Sequence, residues 1–228
     1  MSSHQEIASA VLARHGPTFA AEAGISLVDQ PAPLFQLLVL AELLSARIGA
    51  GIAVAAAVEL HTVGFTTPAK MASSPRSARI AALGRGGYRR YDERTATQLA
   101  DAAQLVLDRY SGDLRGLADA AGGDVDTAAR LLRQFNGIGP TGASVFLREV
   151  QQVWPWVRPY LDDRARSGAL RVGLPGDAPA LAVLVDADDL ARFAAGLVRI
   201  SLLPARADPL TGRATGTAPR PAPPPVVE

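Results

Sequence analysis

The stretch Leu131-Leu132-Arg133-Gln134-Phe135-Asn136-Gly137-Ile138-Gly139-Pro140-Thr141-Gly142-Ala143 reads as a helix end, a tight turn with two closely spaced glycines, and a second helix. Such a turn leaves the first N–H groups of the second helix without helical acceptors, at the positive end of its dipole, where an anion is favoured. A DNA phosphate is the natural candidate. Gly137, Ile138, Gly139, Thr141 and Gly142 would hold it through the backbone, which positions a strand and reads no sequence. Twenty-five residues after Gly137 stands Asp162, within Tyr160-Leu161-Asp162-Asp163-Arg164-Ala165. A carboxylate there can stabilise growing positive charge and orient or activate water. The plain alternative is an N-cap aspartate. Asp162 and Asp163 both remain open for the role.

A third carboxyl, Glu42, lies within the apolar run Pro33–Leu44. Burial in such a helix raises a carboxyl pKa, as a general acid requires; the alternative is a buried glutamate paired with an arginine. Arg47 follows near the end of that helix, where on its own it reads as a surface arginine. Tyr88 and Arg89, with Arg85, Arg90 and Tyr91, form a basic, aromatic cluster beside a glycine loop. Its functional use would be backbone contact and base stacking; its ordinary use is a solvated loop. Arg148 and Arg158 are expected to extend a basic face, Arg164 and Arg166 to pair with the aspartates, and Trp154 and Trp156 to anchor the core.

The composition narrows the chemistry. The chain has 228 residues and is 48% hydrophobic but only 5% aromatic, so alanine, leucine and valine must fill its core. That mixture favours helices. Cysteine is absent, which excludes disulfides, cysteine zinc sites and cysteine-held iron–sulfur clusters. The three histidines are scattered, so no metal and no cofactor is expected. Lys70 is the one lysine, so a Schiff base would need it or the N-terminal amine. A net charge of +1 confines any basic surface to a local patch. Neither a membrane span nor a signal peptide is evident, and a monomer in the cytoplasm, at the nucleoid, is expected.

These residues must be carried by a helical framework. Helices are expected at Gln5–Arg14, Leu34–Ile48 after Pro31-Ala32-Pro33, Ile52–Leu60, Thr67-Pro68 to Ala72, and Ser74-Pro75 to Leu83. Asp92–Tyr110 follows as a long helix with an apolar stripe at Leu99, Ala102, Ala103, Val106 and Leu107. Leu114–Ala121, Thr127–Phe135 capped by Asp124 or Asp126, Thr141–Val153, Asp162–Leu170 and Asp186–Leu203 complete the series. Residues 1–203 are expected as one helical domain, and 204–228, rich in proline and alanine, as a disordered tail.

In this order the segments resemble the endonuclease III-like helix-hairpin-helix (HhH-GPD) DNA glycosylase superfamily. Asn136–Ala143 is similar to its hairpin. Pro33–Leu38 with Leu43-Leu44-Ser45-Ala46-Arg47 is similar to its second-helix segment. Gly87-Tyr88 resembles the turn before its long central helix, and Trp154-Pro155 the link to its catalytic aspartate. The resemblance spans residues 30–200 and implies an all-α, two-lobed fold. It implies double-stranded DNA carrying a damaged or mispaired base as partner, with the base flipped into a cleft near Asp162. It places Arg47 where a residue fills the gap left by that base. It also places Glu42 at the interval at which adenine-specific mismatch glycosylases carry a catalytic glutamate, which inclines the expected target towards a purine.

Three departures matter. The cysteine-ligated cluster that endonuclease III carries after its last helix cannot form in this chain. Thr141 stands where lyase members have lysine, which implies a monofunctional glycosylase. The segment after Trp154 is two residues longer than in the type enzyme, which is why Asp162 and Asp163 compete; Asp162 is the expected catalytic residue because it is nearer the family's spacing, with Asp163 the alternative. The rivals are a DNA-binding helix-hairpin-helix protein without catalysis, a lyase acting through the N-terminal amine, and a helical protein–protein scaffold.

Overall fold

The computed structural model describes residues 3–210, and among them it is all helical. The helices are α1 (Ser3–His15), α2 (Phe19–Glu22), α3 (Pro31–Ser45), α4 (Ala50–Thr62), α5 (Pro68–Ser73), α6 (Arg76–Arg85) and α7 (Asp92–Tyr110). They continue with α8 (Arg115–Ala121), α9 (Val125–Leu132), α10 (Pro140–Val150), α11 (Asp163–Arg171), α12 (Ala178–Ala182) and α13 (Leu190–Leu202). None is long and apolar enough to cross a membrane.

Two lobes form. The central helices pack as α4 on α6, α6 on α7, α5 on α7 and α8 on α9. Helices from both ends of the chain make the other lobe, with α13 packed on α1 and α11. Both α3 and α10 bind them together: α3 packs on α4 and α10, and α10 also meets α9 and α13. Helix α3 buries Leu34, Phe35, Leu37, Leu38, Val39, Leu40, Ala41 and Leu43, so it is apolar all round rather than amphipathic. Helix α7 is the contrasting case. It buries the stripe Leu99, Ala102, Ala103 and Val106, and leaves Leu107 at the margin.

Local signals explain most boundaries. The Thr67 side chain accepts from the Lys70 amide, and Asp124, not Asp126, caps α9 by accepting from Thr127 N at 2.8 Å. Proline at the start of α3, α5 and α10 fills a position whose N–H would be orphaned in any case. The expected Ser74 cap of α6 does not form: Ser74 Oγ donates back to Met71 O at 2.6 Å, and Pro75 precedes the helix instead. Arg79, 5% exposed, pins three elements through Ala96 O at 2.7 Å and Ser74 O at 2.5 Å. In α11, Gly168 permits a close crossing; a Cβ there would lie 1.9 Å from Leu197 O in α13.

The structure departs from the expected series in several places. Helix α3 stops at Ser45, so Arg47 and Ile48 belong to the loop before α4. The short helices α2 and α12, each opened by a side-chain cap from Thr18 or Asp177, add to the expected series. Within the expected tail, residues 204–210 contact the body: Arg171 donates to Leu203 O at 2.6 Å and to Ala207 O, and the His15 ring meets Pro209 O at 3.1 Å. The remainder, 211–228, lies outside the described residues.

Candidate active site

Helices α9 and α10 are joined by the turn 133–139, and the sequence dictates its shape. Gly137 has φ +98°, in the left-handed region where a side chain is strained. Its backbone also lies against other groups: a Cβ would fall 2.9 Å from Glu42 Oε1 and 3.2 Å from Gln98 Cδ. Ile138 is buried and packs on Gly142, which keeps the turn folded over the start of α10. Ser45 Oγ ties the end of α3 to the turn, reaching Glu42 O at 2.7 Å and Gly137 O at 3.3 Å. Exposed Thr141 opens α10 next to buried Gly142, and their amides precede any helical acceptor.

A cavity of about 820 Å³ opens beside this turn. Its walls come from the end of α3 (Ser45), the α3–α4 loop (Arg47, Ile48), the first turns of α10 (Thr141, Ser144, Arg148), the start of α11 (Asp162, Asp163, Arg164), and α13. The start of α10 at Thr141, Arg47 and both candidate aspartates are thus brought to one place, whereas Gly137, Ile138, Gly139 and Gly142 lie outside its walls. Arg47 and Arg164 are exposed and, among the described residues, enter no ion pair. Arg166, not Arg164, pairs with Asp163, at 3.6 Å.

The two aspartates differ sharply. Asp163 is fully exposed. Asp162 caps α11, its Oδ1 accepting from Ala165 N at 2.9 Å, while Oδ2 accepts from Arg148 Nη1 at 2.5 Å. Its side chain is 9% exposed, so the carboxylate reaches the cavity from a mostly dry wall. The loop that delivers it is pinned by Gln151, whose side-chain amide donates to Tyr160 O and accepts from Tyr160 N, both at 2.9 Å. Tyr160 in turn hydrogen-bonds to Ser144 Oγ at 3.2 Å.

Several expected site residues are located elsewhere. Glu42 is buried at 4% exposure beneath Gly137 and outside the walls of the cavity; neither of its oxygens has a hydrogen-bond partner among the described residues. The expected arginine partner is missing as well. Burial holds its carboxyl well above the usual range, and nearby Asp101 adds to the effect. The sequence expectation of a raised pKa therefore holds, but the carboxyl faces the turn. Tyr88 is 1% exposed and accepts from Thr95 Oγ1 at 3.3 Å, which removes it from any stacking on DNA. Arg89 is exposed on the α6–α7 loop but does not line the cavity, and Arg85 is taken up by Glu59 at 2.6 Å. Arg148 is buried, not part of a basic face, and Arg158 is spent on Gln151 O, Gln152 O and Asp188. Trp154 anchors the core as expected: its indole N–H donates to Asp29 at 3.0 Å, and it stacks on Trp156 at 5.5 Å.

Sequence reasoning missed the Arg148–Asp162 pair and the role of Gln151. The polar interruption Arg148-Glu149 in an otherwise apolar α10 was the available signal, because buried charges require partners. Among the described residues no cluster of three or more histidine, aspartate or glutamate side chains could hold a metal.

No protein-family model matches the chain, and no curated protein matches it. Solved structures do. A thermostable thymine-DNA glycosylase aligns over 88% of this chain and 86% of its own, at 15% identity and a TM-score of 0.53. The chain shares that glycosylase's fold. An endonuclease III in a trapped covalent DNA intermediate aligns over the same fractions at 16% identity, with a TM-score of 0.48. A non-covalent endonuclease III–DNA complex gives 16% and 0.49.

Proposed function

We propose that the chain is a DNA glycosylase that hydrolyses the N-glycosidic bond of a damaged or mispaired base flipped out of duplex DNA, leaving the strand intact. One observation carries this reading: the start of α10 at Thr141, unpaired Arg47 and Asp162 all line one cavity. The amides and Arg47 are suited to hold the strand, and the fold shared with a thymine-DNA glycosylase agrees with that partner. Asp162 is the better candidate for the chemistry than Asp163. A carboxylate fixed in a nearly dry wall acts through less screening than a fully exposed one. It would stabilise positive charge on the sugar as the bond to the base breaks, and direct water to the same carbon. Thr141 at the family's lysine position supports hydrolysis without a covalent sugar intermediate. So does the exposure of Lys70 on α5, outside the cavity walls. Glu42 takes no part at the base in this reading, because it faces the turn.

The test is base release from duplexes carrying uracil, alkylated purines, oxidised purines or mismatched adenine, each analysed with and without alkali. Strand cleavage appearing only after alkali is the expected result. Cleavage without alkali would mean lyase or nuclease chemistry and overturn the Thr141 argument. A second reading, DNA binding without excision, is favoured by the engagement of both Asp162 oxygens. It predicts salt-dependent duplex binding and no base release from any duplex.

A further inference from the structure

Behind Asp162 lies a charge arrangement that the proposed reaction has not used. Arg148 is 2% exposed and stands between two carboxylates, Asp162 and the fully buried Glu149. Its contacts with them are unequal. Nη1 reaches Asp162 Oδ2 at 2.5 Å, whereas Nε stops 3.6 Å from Glu149 Oε1, beyond hydrogen-bond range. Arg148 Nε and Glu149 Oε1 are both buried, and among the described residues neither has a hydrogen-bond partner. An unmade bond between two buried charged groups is costly, and a small slide of the guanidinium would make it. Glu149 is already oriented to receive it, because its Oε2 accepts from Ala20 N at 2.9 Å. The Phe19 ring lies under the guanidinium, 5.5 Å from its carbon, and gives a flat apolar surface to slide on.

We propose that Arg148 is a positioning residue shared between Asp162 and Glu149, which shifts towards Glu149 when positive charge develops on the sugar and so weakens its hold on the Asp162 carboxylate that faces it. The proposal rests on the reading of Asp162 as the carboxylate nearest the sugar. In the resting protein Arg148 holds Asp162 and offsets its field. A cation arriving in the cavity competes for Oδ2, and Glu149 supplies the buried counter-charge that makes Arg148's retreat tolerable. The other groups facing this trio are Arg199 and Tyr160, with exposed Asp163, Arg164 and Arg47 on the cavity side. Burial pushes Glu149 above the usual carboxylate range, with Arg148 the main opposing influence. A fuller approach of Arg148 increases that opposition and keeps the counter-charge available.

The experiment compares equilibrium binding of two duplexes, one with a cationic pyrrolidine in place of the target sugar and one with its neutral tetrahydrofuran analogue. The ratio of the two affinities reads the negative field presented to the sugar, and needs no turnover. In wild-type protein the cationic duplex is expected to bind more tightly. Glu149→Gln should lower that preference by about tenfold, a modest share of what close buried charge pairs contribute, with the neutral duplex unaffected. Arg148→Met should raise it, and Arg148→Lys should fall between, since a point charge cannot span both carboxylates. If Arg148→Met does not fold, Glu149→Gln and Arg148→Lys carry the test. A wild-type preference that Glu149→Gln leaves unchanged would overturn the sharing while sparing the Asp162 reading. Equal binding of the two duplexes by wild-type protein would overturn both.

Discussion

Replacing Gly137 by alanine tests whether the turn is built as described. The residue has φ +98°, and a β-carbon in the left-handed region costs about 1–2 kcal/mol. The same carbon would also meet Glu42 Oε1 at 2.9 Å and Glu42 Cδ at 3.0 Å. That carboxyl is buried, with Gln98 beside it, so the overlap should add about 1–3 kcal/mol, the usual cost of overpacking. The combined loss is roughly 2–5 kcal/mol, a large part of a typical domain's stability. Gly139, two residues on, supplies the control. Its φ is −90°, and a Cβ there would meet nothing within 4 Å. Gly139→Ala should therefore lie within about 0.5 kcal/mol of wild type. Urea unfolding followed by far-UV dichroism measures both. Adding Glu42→Ala to Gly137→Ala should remove the tightest overlap, leaving Gln98 Cδ at 3.2 Å and the backbone strain of about 1–2 kcal/mol, which a double-mutant cycle resolves. Equal losses for the two glycine variants, or no loss for Gly137→Ala, would refute the geometry.

Three further outcomes follow from particular side chains. Glu42 binds its proton more tightly folded than unfolded, so between its ordinary pKa and its raised folded value the native state holds the extra proton. Stability then falls as pH rises through that window, by at most about 1.4 kcal/mol per pH unit; Glu42→Gln should flatten this slope, and denaturation midpoints with the same pH slope for both proteins would count against it. Asp124→Ala should cost about 1 kcal/mol through loss of the α9 cap, and an unchanged melting curve would show that the cap contributes nothing. Arg47→Ala should weaken duplex binding and reduce the slope of log affinity against log salt by about one, whereas an unchanged slope would place Arg47 away from phosphate.

What the sequence disclosed depended on the kind of signal. Helix α7 begins and ends at the expected residues because an acidic first turn, a single apolar stripe and Ser111-Gly112 all agree. The turn at Gly137–Gly139 was legible because two glycines and a proline at the helix start leave few alternatives. The orientation of Glu42 was not. Helix α3 is apolar on every side, so periodicity cannot say which neighbour one polar residue meets. Arg47 was displaced into a loop because α3 ends at Ser45 without a glycine or proline to announce it. The burial of Tyr88 and the partner of Arg148 depend on contacts between separate elements; the interruption Arg148-Glu149 marks a buried charge but not which carboxylate meets it.

The most direct test of the proposed excision is to compare Asp162→Asn and Asp163→Asn on whichever duplex the wild-type protein processes, measuring base release and duplex affinity together. Asp162→Asn should abolish base release while binding persists, and Asp163→Asn should keep most of the activity. Full base release by Asp162→Asn would contradict the assignment, because the carboxylate at the cavity wall would then have no part in breaking the bond.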